Sequence, residues 1–143
     1  MGIGFSQDLP SPDAKSVWSY IKDVDYTKWE LFPGTTYMYK GQSPHGAYLT
    51  SFINKPGSSS LSDSEFANGT IIVKENYMSD KKLAAITVMY KYKGYNQDAG
   101  DWFWGKYSPQ GEVQASGKLP PCIGCHSAVK DSDWSFLKSN LKK

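Results

Sequence analysis

The chain has 143 residues and a formal net charge of +2, so it is long enough for one domain with a core and too weakly basic to indicate a nucleic-acid partner. No run approaches the ~20 consecutive apolar residues of a membrane-spanning helix. Aromatic residues make up 15% of the chain, with five Trp and ten Tyr, which suits the walls of a flat, apolar ligand.

The predicted elements begin after a loose arm over residues 1–10, and residues 1–143 are expected to form a single domain. Ser11-Pro12-Asp13 marks a helix start, since a capping residue is followed by proline in the first turn, and helical spacing continues to about Asp25. From residue 36 onward the apolar period changes to two. This pattern predicts strands over 36–40, 47–54, 70–78, 83–93, 101–107 and 112–116, with a serine-rich loop over 57–64 and a tight hairpin at 79–82.

A last predicted helix is capped by Asp131 or Ser132 and holds Trp134, Leu137 and Leu141. Strands therefore dominate, with a helix near each end of the chain. The expected fold is α+β and mainly β, built on a curved antiparallel sheet of about five strands.

The most informative motif is C-x-x-C-H, formed by Cys122, Cys125 and His126, which is the attachment site of a c-type haem. Each cysteine sulfur can form a thioether to a haem vinyl group. The adjacent histidine can place an imidazole nitrogen on the iron. The motif predicts one covalently bound haem c near the C-terminus, with His126 as the proximal iron ligand.

Two other kinds of site use similar residues. A structural zinc site needs four tetrahedral ligands, and the candidates are Cys122, Cys125, His45 and His126, of which two are consecutive and fit a tetrahedron poorly. A thiol–disulfide redox pair normally follows a strand in a βαβ unit, whereas Pro120 and Pro121 lead into this motif. A chance match would explain neither the lack of further cysteines nor the histidine at the fifth place, so haem is the preferred interpretation.

A haem of this type is normally attached outside the cytoplasmic membrane. We therefore interpret Met1 as a start that replaces a removed leader, which predicts a bacterial periplasm. Because all 16 basic residues are lysine, the haem propionates must be paired by lysine, tyrosine, tryptophan N–H or backbone groups.

Four segments carry a resemblance to a known family: G-T-I-I-V-K-E over 69–75, D-W-F-W over 101–104, C-I-G-C-H over 122–126, and the aromatic pair Trp134 and Phe136. With these segments in a β-rich order, the sequence resembles the cytochrome P-460 and cytochrome c′-beta family. The resemblance implies an antiparallel five-stranded protein, usually a homodimer, with His126 as proximal ligand and an open or weakly occupied distal site.

Members of that family divide by function. Some bind nitric oxide and carbon monoxide in a distal pocket capped by apolar, often phenylalanine, side chains. Others oxidise hydroxylamine, use a distal carboxylate and carry a covalent bond from a lysine to the haem edge. Lys74 matches that lysine by its V-K-E context. The carboxylate does not align with a single residue of this chain.

Lys74 shares a strand face with Ile72 and Asn76, opposite Val73, Glu75 and Tyr77, so it faces the haem if Ile72 does. It is a candidate for the cross-link, an exposed lysine or a propionate partner. His45, in a Pro-His-Gly turn, is a possible distal base or ligand, or a turn residue bonded to backbone.

Each of the remaining candidates can be explained either by a role at the haem or by an ordinary structural role. Met78 and Met89 are possible sixth ligands or gap-fillers. Six aromatic residues are candidates for the distal wall or the core: Phe32, Phe52, Phe66, Phe103, Trp102 and Trp104. Three carboxylates are candidates for distal groups or surface residues: Glu65, Glu75 and Asp101.

Three functional hypotheses follow, in order of preference. The first is a haem protein that binds nitric oxide or a similar diatomic at an open site. The second is a hydroxylamine-oxidising enzyme with Lys74 cross-linked to haem. The third is an electron carrier with both axial positions filled. The expected partners are small ligands such as NO, CO or hydroxylamine, together with redox partner proteins.

Overall fold

The computed structural model describes residues 8–42 and 44–142, so most of the predicted arm over residues 1–10 lies outside the described part. The described helices are α1 Ala14–Asp23, α2 Lys55–Ser58, α3 Pro120–His126 and α4 Phe136–Asn140, with 3-10 turns at Tyr26–Lys28, Gln97–Ala99 and Ser127–Ser132. The strands are β1 Glu30–Leu31, β2 Tyr39–Lys40, β3 Tyr48–Ile53, β4 Ile71–Tyr77, β5 Leu83–Lys91, β6 Trp102–Tyr107 and β7 Val113–Gly117.

The seven strands of the described residues form one open antiparallel sheet in the order β1-β3-β4-β5-β6-β7, with β2 also paired to β3. Five of them, β3 to β7, have five or more residues, whereas β1 and β2 have two each. The predicted α+β, mainly β fold is therefore confirmed. The sheet has seven strands instead of about five: β2 lies within the strand expected over 36–40, whereas β1 was not expected.

The two faces of the sheet pack against different layers. One face packs against α1 in a core that includes Val17, Ile21, Val73 and Val88. The opposite face packs toward the C-terminal helices, with Ile72 and Trp104 in a second cluster that Cys122 and Leu137 adjoin. Since side chains alternate along a strand, β3, β4, β5 and β6 each contribute to both layers.

The N-terminal elements differ from the prediction in two places. The strand expected over 36–40 is reduced to Tyr39–Lys40, because Met38 has a φ of 55° and its N–H donates to Thr50 Oγ1 at 3.0 Å instead of to a strand. The short helix α2 replaces the start of the loop that was expected over 57–64. Asn54 caps this helix by accepting from the N–H of Gly57 at 3.2 Å.

The last helix also begins later than predicted. Asp133 and Trp134 have φ values of 52° and 66°, so the chain leaves the helical region there, and Trp134 is not in a helix. Ser135, not Asp131 or Ser132, caps α4 by accepting from the N–H of Lys138 at 3.1 Å. Among the described residues, no helix has the length and apolar content needed to cross a membrane.

Candidate haem site

A cavity of about 450 Å³ lies between the second face of the sheet and the C-terminal helices. Its size falls within the range of about 300–1,000 Å³ typical of ligand pockets. Strands β4, β5 and β6 contribute Lys74, Met89 and Trp104, whereas α3 and the turn before β3 contribute His126 and His45. The cavity therefore brings together the motif histidine and the other two most important candidates.

The C-x-x-C-H motif occupies α3 and lines this cavity. Pro120 begins the helix, where a missing N–H costs nothing. Cys122 and Cys125 are three residues apart, so they lie on one side of the helix, and both are free thiols at the cavity wall. Burial is the main cause that raises the pKa of the Cys122 thiol.

His126 is held in the form that suits a metal ligand. Its Nδ1 lies 2.7 Å from the carbonyl oxygen of Trp134, and a carbonyl only accepts, so Nδ1 carries the proton. Nε2 then keeps its lone pair. Burial lowers the pKa of His126, which favours the neutral ring. Ligating histidines commonly donate their other N–H in this way.

The Trp134 carbonyl is positioned by a buried network that the sequence did not reveal. Asp133 Oδ1 accepts from Lys91 Nζ at 2.8 Å, and Asp133 Oδ2 accepts from the N–H of Phe66 at 2.7 Å. The indole of Trp102 donates to the Asp133 carbonyl at 2.9 Å. These bonds fix the segment next to His126. No spacing rule links residues 91 and 133, so no sequence signal pointed to them.

The His126 ring packs between two aromatic rings, with centroids 4.6 Å from Trp104 and 4.9 Å from Phe136. The Trp104 Nε1 is buried, and it has no hydrogen-bond partner within residues 8–42 and 44–142. A buried donor without an acceptor is costly, which fits an acceptor supplied by a bound group. The cysteine pair, the imidazole lone pair and this free donor all fit a haem in the cavity.

Lys74 projects from β4 on the same face as Ile72 and Asn76, and all three line the cavity. This agrees with the predicted alternation along the strand. Burial lowers the pKa of Lys74 to about 8, so the neutral amine is far more populated near neutral pH than for an exposed lysine.

His45 also lines the cavity, and its Nδ1 lies 3.1 Å from the side-chain oxygen of Asn76. Glycine at position 46 lets the turn that holds His45 lie close to β4, since a Cβ on Gly46 would lie 2.5 Å from the carbonyl oxygen of Tyr77. Burial, and after it the charge of Lys74, lowers the pKa of His45 to about 4. The ring is therefore neutral, and within the described residues its hydrogen-bond partner is the side-chain amide of Asn76.

The other predicted candidates are divided between the cavity and the rest of the fold. Met89 lines the cavity, whereas Met78 is 46% exposed and does not. Of the six aromatic candidates only Trp104 lines the cavity; five belong to the packed cores: Phe32, Phe52, Phe66, Phe103 and Trp102. Phe136, which was not among these candidates, lines the cavity and packs on His126.

None of the candidate carboxylates reaches the cavity. Glu75 lies on the opposite face, where it accepts from the hydroxyls of Tyr26 and Tyr77 at 2.7 and 2.6 Å. Glu65 and Asp101 line a separate polar pocket. Within the described ranges, no Asp or Glu lines the cavity, and no cluster of three His, Cys, Asp or Glu side chains offers the ligands that zinc needs.

A family model described as Cytochrome P460 matches residues 24–137, a range that includes Lys74 and the whole C-x-x-C-H motif. No curated protein matches the chain.

Proposed function

This chain belongs to the cytochrome P460 family, and from that premise we propose that it is a mono-haem c-type cytochrome with an open coordination face that binds small ligands such as nitric oxide. The family implies haem binding. The single observation that carries the proposal is the shared cavity, in which Cys122, Cys125 and the Nε2 side of a neutral His126 meet an apolar wall.

Each of these residues would have a distinct role in holding the haem. The thiols of Cys122 and Cys125 would add across its two vinyl groups, each giving a thioether with no net oxidation. His126 Nε2 would bind the iron, while Trp134 keeps the proton on Nδ1. When bound, the haem supplies an iron that takes a small ligand and exchanges electrons. Trp104 Nε1 offers it a buried hydrogen-bond donor.

An open second face is supported by the placement of Met89. Met89 is paired with Trp104 across β5 and β6, and the Trp104 ring packs on His126. This puts the thioether near the proximal ligand, where it is a poor candidate for the opposite axial position.

A visible spectrum and a gas titration test this proposal. The ferrous protein should bind carbon monoxide and nitric oxide without first losing a strong protein ligand. A low-spin, six-coordinate spectrum that neither gas alters would contradict it and favour the electron carrier. The variants His45→Ala and Met89→Leu would then identify the sixth ligand.

Hydroxylamine oxidation is a second candidate, and the position of Lys74 favours it. The amine lies in the cavity, and its pKa of about 8 makes the nucleophilic form accessible. In such an enzyme a base would take protons from hydroxylamine, and a redox partner protein would take its electrons. His45 is the candidate base, since no described carboxylate lines the cavity.

The intact mass separates the two candidates. A bond between Lys74 Nζ and a ring carbon replaces one N–H and one C–H. This is a two-electron oxidation that needs an external oxidant such as dioxygen or a peroxide, and the cross-linked protein is two hydrogens lighter than the protein with two thioethers alone. The lighter mass would support the enzyme, and the heavier mass would support ligand binding.

A periplasmic location and a homodimer complete the proposal, and both rest on the family resemblance and on the chemistry of haem attachment. Cell fractionation and sedimentation of the holoprotein test them. A monomeric protein confined to the cytoplasm would contradict both.

A further inference from the structure

The amide of Asn76 has only one possible orientation. Its side chain is buried on the cavity face of β4, with 5% exposure. Nδ2 lies 2.9 Å from the carbonyl oxygen of Lys74, 3.3 Å from that of Ala85 and 3.2 Å from Thr87 Oγ1. Two of these neighbours are carbonyls, which only accept. The amide nitrogen must therefore lie on this side, with Oδ1 on the other.

The orientation of Asn76 determines the tautomer of His45. Asn76 Oδ1 lies 3.1 Å from His45 Nδ1 and 3.5 Å from the N–H of Gly46. Since Oδ1 only accepts, His45 Nδ1 must donate. A neutral imidazole has one N–H, so His45 Nε2 has a lone pair. This atom has no hydrogen-bond partner in the described parts of the chain, which leaves it free for a ligand.

We propose that Asn76 is a positioning residue, which holds His45 as the Nδ1–H tautomer so that its Nε2 meets an iron-bound ligand as a hydrogen-bond acceptor and not as a donor. The inference rests on the proposed open site. It makes Asn76, a residue that neither contacts the iron nor titrates, a determinant of ligand specificity at that site.

Burial and nearby charges keep the His45 ring neutral, which the proposed tautomer requires. Burial and the charge of Lys74 lower its pKa to about 4, His126 and Lys106 act in the same direction, and the bond to Asn76 opposes them. The ring is therefore neutral at neutral pH, and only the neutral ring has a lone pair to offer.

The tautomer of His45 determines which ligands can form a hydrogen bond with its Nε2. A lone pair stabilises ligands that bring their own N–H or O–H, such as hydroxylamine or a simple amine. It gives no hydrogen bond to a diatomic ligand, whose terminal oxygen needs a donor. Diatomic ligands would then be held by the iron and the apolar wall alone.

Nitrogen NMR of the wild-type ferrous carbonyl holoprotein tests the tautomer directly. The chain has two histidines, so labelling them with ¹⁵N gives two rings, and the His45→Phe variant identifies His45 by the loss of its signals. We expect His45 Nδ1 to carry the proton and Nε2 to carry none. A proton on Nε2 would overturn the inference while leaving the open site intact.

The C–O stretch of the same complex tests the role of Asn76. A donor near the bound oxygen lowers this frequency, and a lone pair raises it. We expect one high-frequency band in the wild type and an added lower band in Asn76→Leu, where Nε2–H becomes populated. In a His45→Phe background the Asn76 change should have no effect.

Two further outcomes separate the alternatives. An equal shift from Asn76→Leu with and without His45 would mean that Asn76 only supports the strand, and the inference would fail. Thr87→Val, which removes one neighbour of Nδ2, is the matched control and should keep the single high band. A protein that binds no carbon monoxide would overturn the proposed open site itself, and this inference with it.

Discussion

Lys91 and Asp133 form an ion pair of 2.8 Å in which both side chains are buried, although the residues lie on different elements and far apart in sequence. Asp133 precedes Trp134, whose carbonyl accepts from His126 Nδ1 at 2.7 Å. A charge pair between β5 and the C-terminal segment thus sets the position of the acceptor that orients the His126 ring.

Asp133→Asn should destabilise the protein by about 3–5 kcal/mol, because it leaves the ammonium of Lys91 buried without its counter-charge. Chemical denaturation of the holoprotein measures this. The iron–histidine stretch in resonance Raman should shift as well, since the Trp134 carbonyl loses its anchor. Asp131→Asn, at an exposed neighbour, is the control. An unchanged stretch in Asp133→Asn would show that the pair does not act on His126.

Cys122 and Cys125 should both be bonded to haem. Acid-acetone extraction is therefore expected to leave the colour with the protein. The variant with both cysteines changed to alanine should mature without covalent haem, and each single variant should keep one thioether, detectable by mass. Release of free haem from the wild type would disprove c-type attachment.

His126→Ala should change the ferric spectrum and weaken haem retention, because no other residue is tethered so close to the two thioethers. Magnetic spectroscopy of the iron provides the measurement. Phe136→Leu, which alters the packing against the His126 ring without removing the ligand, is the comparison and should keep the axial signature. An unchanged signature in His126→Ala would contradict its assignment as ligand.

Lys74 should remain attached to the haem peptide after proteolysis if the protein oxidises hydroxylamine. In that case Lys74→Ala restores an ordinary c-type spectrum and abolishes turnover while both thioethers persist. Lys106→Ala, at a second lysine of the same cavity, is the matched control and should change neither the spectrum nor the attachment. Release of Lys74 as a free peptide would leave ligand binding as the function.

Acidification from pH 7 to 4 should lower the free energy of unfolding in a way that depends on His45. Its folded pKa of about 4 lies below the ordinary value of about 6.5, so the unfolded state binds more protons in this window and stability falls as the pH falls. The contribution is at most about 1.4 kcal/mol per pH unit. After burial, the charges of Lys74, His126 and Lys106 also lower the pKa of His45.

Denaturation of wild type and His45→Gln across this range measures that contribution. The variant should have the shallower pH dependence, because its amide does not titrate. Equal slopes for the two proteins would show that His45 has an ordinary pKa in the folded state.

The sequence predictions that agree with the structure depend on local patterns. The alternation along β4 placed Lys74 with Ile72 and Asn76, and the structure has all three at the cavity, because the period of two depends only on strand geometry. The C-x-x-C-H motif is equally local, since its three residues lie within α3 and line the same cavity.

Long-range contacts account for the predictions that failed. A helix start at Asp131 or Ser132 was a reasonable cap prediction, yet the side chain of Asp133 binds Lys91 and the chain turns there instead. Aromatic residue type likewise does not tell which of two apolar layers a side chain joins. Phe52 and Phe66 therefore belong to the cores and not to the cavity wall.

The packing of the two faces of the sheet against different layers affects how mutations can change this protein. On β4 the cavity residues Ile72, Lys74 and Asn76 alternate with Val73, Glu75 and Tyr77, which pack or bond on the other side. Substitutions at the first set can change the chemistry of the cavity while the α1 layer keeps its volume. Point substitutions at the first set can therefore change the ligand without disturbing the α1 layer, whereas a single insertion within β4 would exchange the two sets and disrupt both layers at once.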